Sequence, residues 1–245
     1  MPMNTPAGLD RCLAFINCQI SPPKSPTVGY RNGEDRLAVT ISRQAGSGAH
    51  AVAEKLADYL QAHASNPACP WTVFDRNLVE KVLEDHKLPS HLAKFMPEDR
   101  ISEVADTMDE LFGLHPSSWT LVHKTAETIL QLAQLGNVII IGRGANVITS
   151  NLDYVFHVRL VGSLEKRIRH VQELRQVSAK EAAALIEKED LGRRRFLKKY
   201  FNKDIDDPLL YHLTINTDLV SYDNAARLIG QAVLQRRSAP AAAIR

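Results

Sequence analysis

Residues 39–60 read VTISRQAGSGAHAVAEKLADYL, and the order of their chemistry decides the fold class. Leu37 to Ile41 is a short apolar run, which predicts a buried strand. Gly46-Ser47-Gly48 then predicts a tight turn, and Val52, Leu56, Tyr59 and Leu60 recur at helical spacing. Strand, glycine turn and helix in that order aim backbone N–H groups at an anion, and the positive end of the helix dipole adds to the attraction. One part of the usual phosphate-binding loop is missing. Such loops end in Gly-Lys-Ser/Thr, whereas here Gly48 is followed by Ala49 and His50. If the loop holds a phosphate, another residue must supply the lysine's charge.

The same alternation continues outward. WTVF (71–74), NVIII (137–141), YVFHVRLV (154–161) and YHLTINT (211–217) predict further strands. NVIII is apolar throughout, as a strand covered on both faces must be. Helices are predicted over 77–86, over the amphipathic stretch from Ile101 to Phe112, and from Ser117 or Ser118 to Leu135 with Gly136 as the stop. Ser163 can start a helix, and Ser178 with Glu181 fits a capping box whose helix runs to about Tyr200. NAARLIGQAVLQ is the last helix. Strands alternating with helices imply an α/β fold: a mostly parallel sheet flanked by helices, joined by right-handed crossovers.

The domain reading follows. Residues 1–36 form an N-terminal extension, whose segment SPPKSPTVGYRNGEDR has the composition of a linker, and which packs on the body or on a partner chain. Residues 37–235 form the main domain, with a helical insertion over 76–136 and a lid-like basic segment over 190–208. Residues 236–245 read as a flexible tail.

Composition narrows the setting. Of 245 residues, 44% are hydrophobic and 24% charged, ordinary for a globular protein. A net charge of +2 gives no global pull toward nucleic acid or an anionic membrane. No stretch approaches the roughly 20 apolar residues that span a bilayer, and the N-terminus lacks the pattern of a signal peptide. These features place the chain in the cytoplasm, with no membrane partner. Three cysteines, Cys12, Cys18 and Cys69, give no C-x-x-C pair, so reduced thiols are expected. A homo-oligomer stays open.

Four groups of residues carry candidate chemistry. Ser42, Arg43 and Ser47 add donors to the glycine loop around Gly46 and Gly48. Arg143, between Gly142 and Gly144, stands at the carboxyl end of a buried strand, where its planar fork would meet phosphate oxygens. The run from Arg193 to Lys203 reads mainly as a solvated face, with one or two residues able to close over a polyphosphate. The following Asp204, Asp206 and Asp207 suit pairing with that run better than Mg²⁺. Asp75 and Arg76 end a strand near the cleft, although Asp75 or Asn77 would equally serve as a helix cap. The histidines form no metal or triad pattern and read as structural, except His50, which sits where a phosphate loop carries its lysine and hydroxyl.

Together TISRQAGSGAHAVAEKLA, WTVFDRNLVEKV, NVIIIGRGANVI, VFHVRLVGSLEKRI and YHLTINTD resemble the cytidylate kinase-like family, a branch of the P-loop nucleoside monophosphate kinases, over about residues 37–235. The resemblance implies a parallel core sheet, a helical insertion that binds the acceptor, and a short lid. It implies ATP and Mg²⁺ as cofactors, nucleotides as partners, and phosphoryl transfer to a nucleoside monophosphate, CMP or dCMP by the family's name. A nucleotide sensor without catalysis and a kinase for another small metabolite are the alternatives. By position, Gly46, Ser47 and Gly48 would cradle donor phosphates, with Ser42 and Arg43 beside them. Arg143, Arg193 and His50 would act on the transferring group, and Asp75 and Arg76 would open the acceptor site. No residue is assigned as a metal ligand. This chain departs from cytidylate kinases in lacking the loop lysine and in carrying Ile141 where they have an aspartate before Gly-Arg.

Overall fold

The computed structural model describes residues 11, 12, 14, 15, 17, 18, 37–63, 69–75 and 118–238. Five strands, β1 (Ala38–Arg43), β2 (Thr72–Phe74), β3 (Val138–Ile141), β4 (Val155–Val161) and β5 (Leu213–Asn216), form one sheet in the order β2-β3-β1-β4-β5. Every pairing is parallel. The helices are α1 (Ala49–His63), α2 (Ser118–Leu135), α3 (Ala145–Ile148), α4 (Leu164–Arg175), α5 (Ala179–Phe201) and α6 (Tyr222–Ser238). The α/β sheet with flanking helices is the one expected. The helices expected at 77–86 and 101–112 lie outside the described residues, as does most of the insertion.

The apolar runs divide by parity, because alternate side chains of a strand point to opposite faces. Val39, Ile41, Ile139 and Ile141 pack with Leu56, Leu60 and Ile229 on one face. Ala38, Val138, Ile140 and Val155 pack with Phe74, Ile129 and Ala133 on the other. This is why β3 is apolar throughout and why even Thr40 and Ser42 of β1 are buried: neither face meets water. Caps end the helices as the sequence implies. Ser163 accepts from the Lys166 amide, and Ser178 and Glu181 form the full capping box. Gly136, at φ 73°, follows the last residue of α2.

The described residues before β1 pack on the body. Cys12 and Phe15 are buried, with Phe15 edge-on to Phe74 of β2 at 5.5 Å. Arg11 pairs with Glu54 and Asp58 of α1. This docking brings Cys18 beside Cys69, and the two form a disulfide with a Cα separation of 5.6 Å. The expectation of reduced thiols is corrected here, because cysteines 51 residues apart in sequence show no local pattern. Among the described residues no helix is long and apolar enough to cross a membrane.

The disulfide closes a loop whose chain entropy is worth about 4 kcal/mol, so reduction is expected to lower the melting temperature. Cys12 is the free cysteine, and burial pushes its thiol up to about 12. Thiol titration of the native protein should therefore find none reactive, then Cys18 and Cys69 after reduction, and Cys12 only on unfolding. A reactive thiol in the oxidised native state would contradict this arrangement.

His157 and His212 are structural. The Thr40 hydroxyl and His157 Nδ1 are 2.8 Å apart, and the His157 backbone N–H donates to His212 Nδ1. Burial, then the charges of His212 and Arg236, push His157 down to about 4. The unfolded chain takes up a proton near pH 6.5 that the folded chain refuses until about 4. Stability is thus full above pH 6.5 and lost as pH falls toward 4. Between pH 7 and 5 the loss should be about 2 kcal/mol, read by urea denaturation, and His157→Gln should flatten that slope.

Candidate functional site

Sheet register builds the site. Ala38 to Ile41 pair with Val138 to Ile141, but β1 runs on through Ser42 and Arg43 while β3 stops. The turn Gly142-Arg143-Gly144 therefore lies beside the last two residues of β1, about a hundred positions away in sequence. All three turn residues have positive φ: 83°, 58° and 69°. Glycine adopts this conformation freely, whereas an arginine there is uncommon and costs on the order of 1 kcal/mol. At Gly142 a side chain has no room, since a Cβ would collide with the Arg43 guanidinium. Arg43 lies directly on this backbone.

Ser42, Arg43, Arg143 and Arg193 line one pocket of about 380 Å³, together with Asn146 and Glu189 and with apolar walls from Ile141, Phe196, Leu197 and Ile205. Four of the residues singled out in the sequence thus converge from β1, the β3 turn and α5. Burial, then the charge of Arg193 and more weakly that of Arg143, push Arg43 down to about 10, against Glu189 and Asp75 pulling upward. Arg43 stays cationic at neutral pH but is crowded by like charge and short of water. An anion would relieve both costs.

Acid groups on α5 hold this cluster. Glu189 accepts from Arg193 at 2.7 Å and from Arg175 at 3.0 Å. Burial alone would raise the Glu189 carboxyl, but its bond to Arg193 and the charges of Arg193 and Arg175 bring it below the usual range. Asp190 accepts from the Ala45 backbone N–H at 2.7 Å, from Arg193 at 3.0 Å and from Arg167 at 2.8 Å. Arg167 also donates to the Ala45 carbonyl. The glycine loop is thereby tied to both α4 and α5. The Asp cluster after α5 pairs with basic residues, since Asp206 accepts from Arg159 and Arg194.

The other expected residues lie around this pocket rather than in its lining. Gly46 packs against Arg167 and Val171, and Gly48, at φ 79°, lies under the Tyr222 ring, leaving no space for a Cβ. Ser47 is buried and donates its hydroxyl to the Gln44 carbonyl, bracing the loop. Ser42, although in the pocket, accepts from Arg159 and from the Tyr211 hydroxyl. His50 Nε2 is 3.4 Å from Asp75 Oδ2. Loss of water around the ring lowers the His50 imidazole below its ordinary range, Arg43 pushes the same way, and Asp75 only partly opposes them. His50 is thus held at the mouth of the loop by Asp75, outside the lining of the pocket. Arg76 lies outside the described residues. Sequence reasoning did not single out Arg167, Glu189, Asp190 or Asn146. One signal was present: Arg167 stands four residues before Val171, on the inward face of α4.

Residues 38–219 match the cytidylate kinase-like family, from β1 to the turn after β5. The chain belongs to the cytidylate kinase-like family. Within this family's frame, β1, the glycine loop and the Gly142-Arg143-Gly144 turn are all inside the matched span. No curated protein matches the chain. Among solved structures it is similar to an uncharacterized protein from Eubacterium ventriosum, at 21% identity and a TM-score of 0.60, over 82% of this chain and 99% of that one. It is also similar to shikimate kinase from Bacteroides thetaiotaomicron, at 13% identity and a TM-score of 0.40, over 82% of this chain and 95% of that one. The first likeness is one of fold.

Two glycines of the pocket should behave oppositely. Gly142→Ala drives a Cβ into Arg43 at a positive φ and should cost about 1 kcal/mol or more. Gly192, inside α5, has open space at its Cβ position, so Gly192→Ala should gain up to about 1 kcal/mol of helix propensity. Urea denaturation of the two variants checks the contrast.

Proposed function

We propose that the chain transfers the terminal phosphoryl group of ATP to a nucleoside monophosphate, with CMP or dCMP as the acceptor. One observation carries the reading: Arg43, Arg143 and Arg193 gather at one pocket at the carboxyl ends of β1 and β3. Ligands of open α/β sheets bind at that edge. Phosphoryl transfer asks the protein for positioning and charge neutralisation more than for covalent chemistry. Three guanidiniums can neutralise equatorial oxygens of the transferring group in place of the absent lysine, with Arg43 nearest the loop. In this reading Gly46, Ser47 and Gly48 cradle the donor, with their N–H groups at the start of α1. Ser42 holds the floor of the pocket, and His50 orients Asp75. Asp75 and Arg76 begin the acceptor side.

Mg²⁺ would offset charge on the donor phosphates. Among the described residues no three His, Cys, Asp or Glu side chains converge as a metal cage. An ion that keeps several waters and binds mainly to phosphate oxygens needs only one or two carboxylates, and Asp75, at the end of β2 beside His50, would be one.

Ala49 in place of lysine favours a second reading, nucleotide sensing without turnover. ADP formation from ATP and Mg²⁺ with CMP, dCMP, UMP, AMP and GMP separates the two. The kinase reading expects acceptor-dependent turnover, with Arg43→Ala or Arg143→Ala lowering it on the order of 10²–10³-fold. ATP binding without turnover would favour the sensor, and absence of both would remove the nucleotide reading.

A further inference from the structure

Gly192 lies inside α5 with nothing in the fold to account for it. A glycine in a helix interior costs stability, so it is kept where the backbone needs a positive φ or where a neighbour packs too close for a side chain. Neither holds here. Gly192 is helical with no positive φ, and no atom of the described residues comes within 4 Å of the position its Cβ would take. Nor does it sit on the side of α5 turned away from the site. Glu189, Gly192, Arg193, Phe196 and Leu197 all line the arginine pocket. Their spacing of i, i+3, i+4, i+7 and i+8 is one helix face, and Gly192 is in the middle of it.

The two sides of this gap differ in chemistry. In a helix a long side chain leans back over the residue four positions earlier, so the Phe196 ring would ordinarily cover Gly192. Instead it crosses to the turn after β3, where its Cε1 lies 3.5 Å from the Cβ position of Gly144, next to Arg143. The ring walls the pocket and leaves the backbone at Gly192 bare. One turn earlier stands the Glu189 carboxylate, ion-paired with Arg193 and Arg175. A second phosphate placed over Gly192 would be repelled by that acid, whereas an uncharged group meets a ring on one side and an acceptor on the other.

We infer that the gap over Gly192 receives the uncharged organic part of a phosphoester whose phosphate the three arginines hold. Gly192 determines specificity by having no side chain, which lets the ligand lie against the helix backbone. The inference rests on the phosphate-binding reading above and adds to it the side of the pocket that the rest of the ligand takes.

The test is titration calorimetry of the wild-type protein, Gly192→Ala and Gly192→Leu with pyrophosphate, which has no organic part, and with ATP, CMP, dCMP, UMP, AMP and GMP. The wild-type protein should bind pyrophosphate and at least one nucleotide. Both variants should melt at or above the wild-type temperature, because alanine and leucine favour a helix over glycine and no contact is lost. Both should bind pyrophosphate within about twofold of wild type. At least one nucleotide should weaken with the size of the new side chain, about threefold for Gly192→Ala and about tenfold or more for Gly192→Leu, as overfilling a packed site does. Gly192→Ala carries the test if the leucine variant does not fold. A lower melting temperature for Gly192→Ala would show a packing role and overturn the inference. So would pyrophosphate weakened as much as the nucleotides, nucleotides that all keep their wild-type affinity, or a wild-type protein that binds pyrophosphate and no nucleotide. Failure of the wild-type protein to bind any of these anions would instead remove the phosphate-binding reading itself.

Discussion

The guanidinium of Arg43 resting on the backbone of Gly142 is the contact on which the rest of the site depends. It exists because β1 is two residues longer than its paired neighbour β3. A strand that overruns its partner leaves its last side chains over the partner's turn. Here the turn has no Cβ to obstruct the approach, and its three residues bend through the left-handed region in succession. The strain at Arg143 and the close approach at Gly142 come from one backbone path. That path delivers Arg143 to the pocket from one side and Arg43 from the other.

Bringing arginines together costs energy unless something answers their charge. In this structure the answer comes from α5, whose Glu189 and Asp190 hold Arg193 and reach the loop amide of Ala45. Arg167 adds a second tie from α4 to the same peptide. The site is therefore assembled from a rigid sheet edge and one long helix. The acids satisfy part of the charge, while Arg43 stays depressed in pKa by burial and by Arg193. Where the usual loop carries a lysine at the helix start, this chain has Ala49 there and a buried arginine, Arg43, at the strand end.

The β2 edge of the sheet is secured differently. Phe15 and Cys12 cover Phe74 of β2, Arg11 anchors to α1, and the Cys18–Cys69 disulfide fastens the segment just before β2. The same strand ends at Asp75, beside His50. The extension thus steadies the strand that leads into the insertion, far in sequence from the residues it supports.

Much of the fold was legible in the sequence because it is written in local periodicity. NVIII could only be a strand buried on both faces, the capping box at Ser178 announced α5, and Gly136 announced the end of α2. Gly46, Gly48 and the Gly142-Arg143-Gly144 turn marked where backbone must bend at a strand end. Pairing partners were not legible. The Cys18–Cys69 bond, the grip of Asp190 on Ala45, the approach of His50 to Asp75 and the burial of Asn146 all depend on distances between segments far apart in the chain. Sequence alone determined the elements, their order and the candidate arginines, since these follow from spacing within a few residues. Only tertiary structure decided which arginines share a pocket and which polar atoms are left without partners, because burial and charge coupling are properties of the assembled sheet edge.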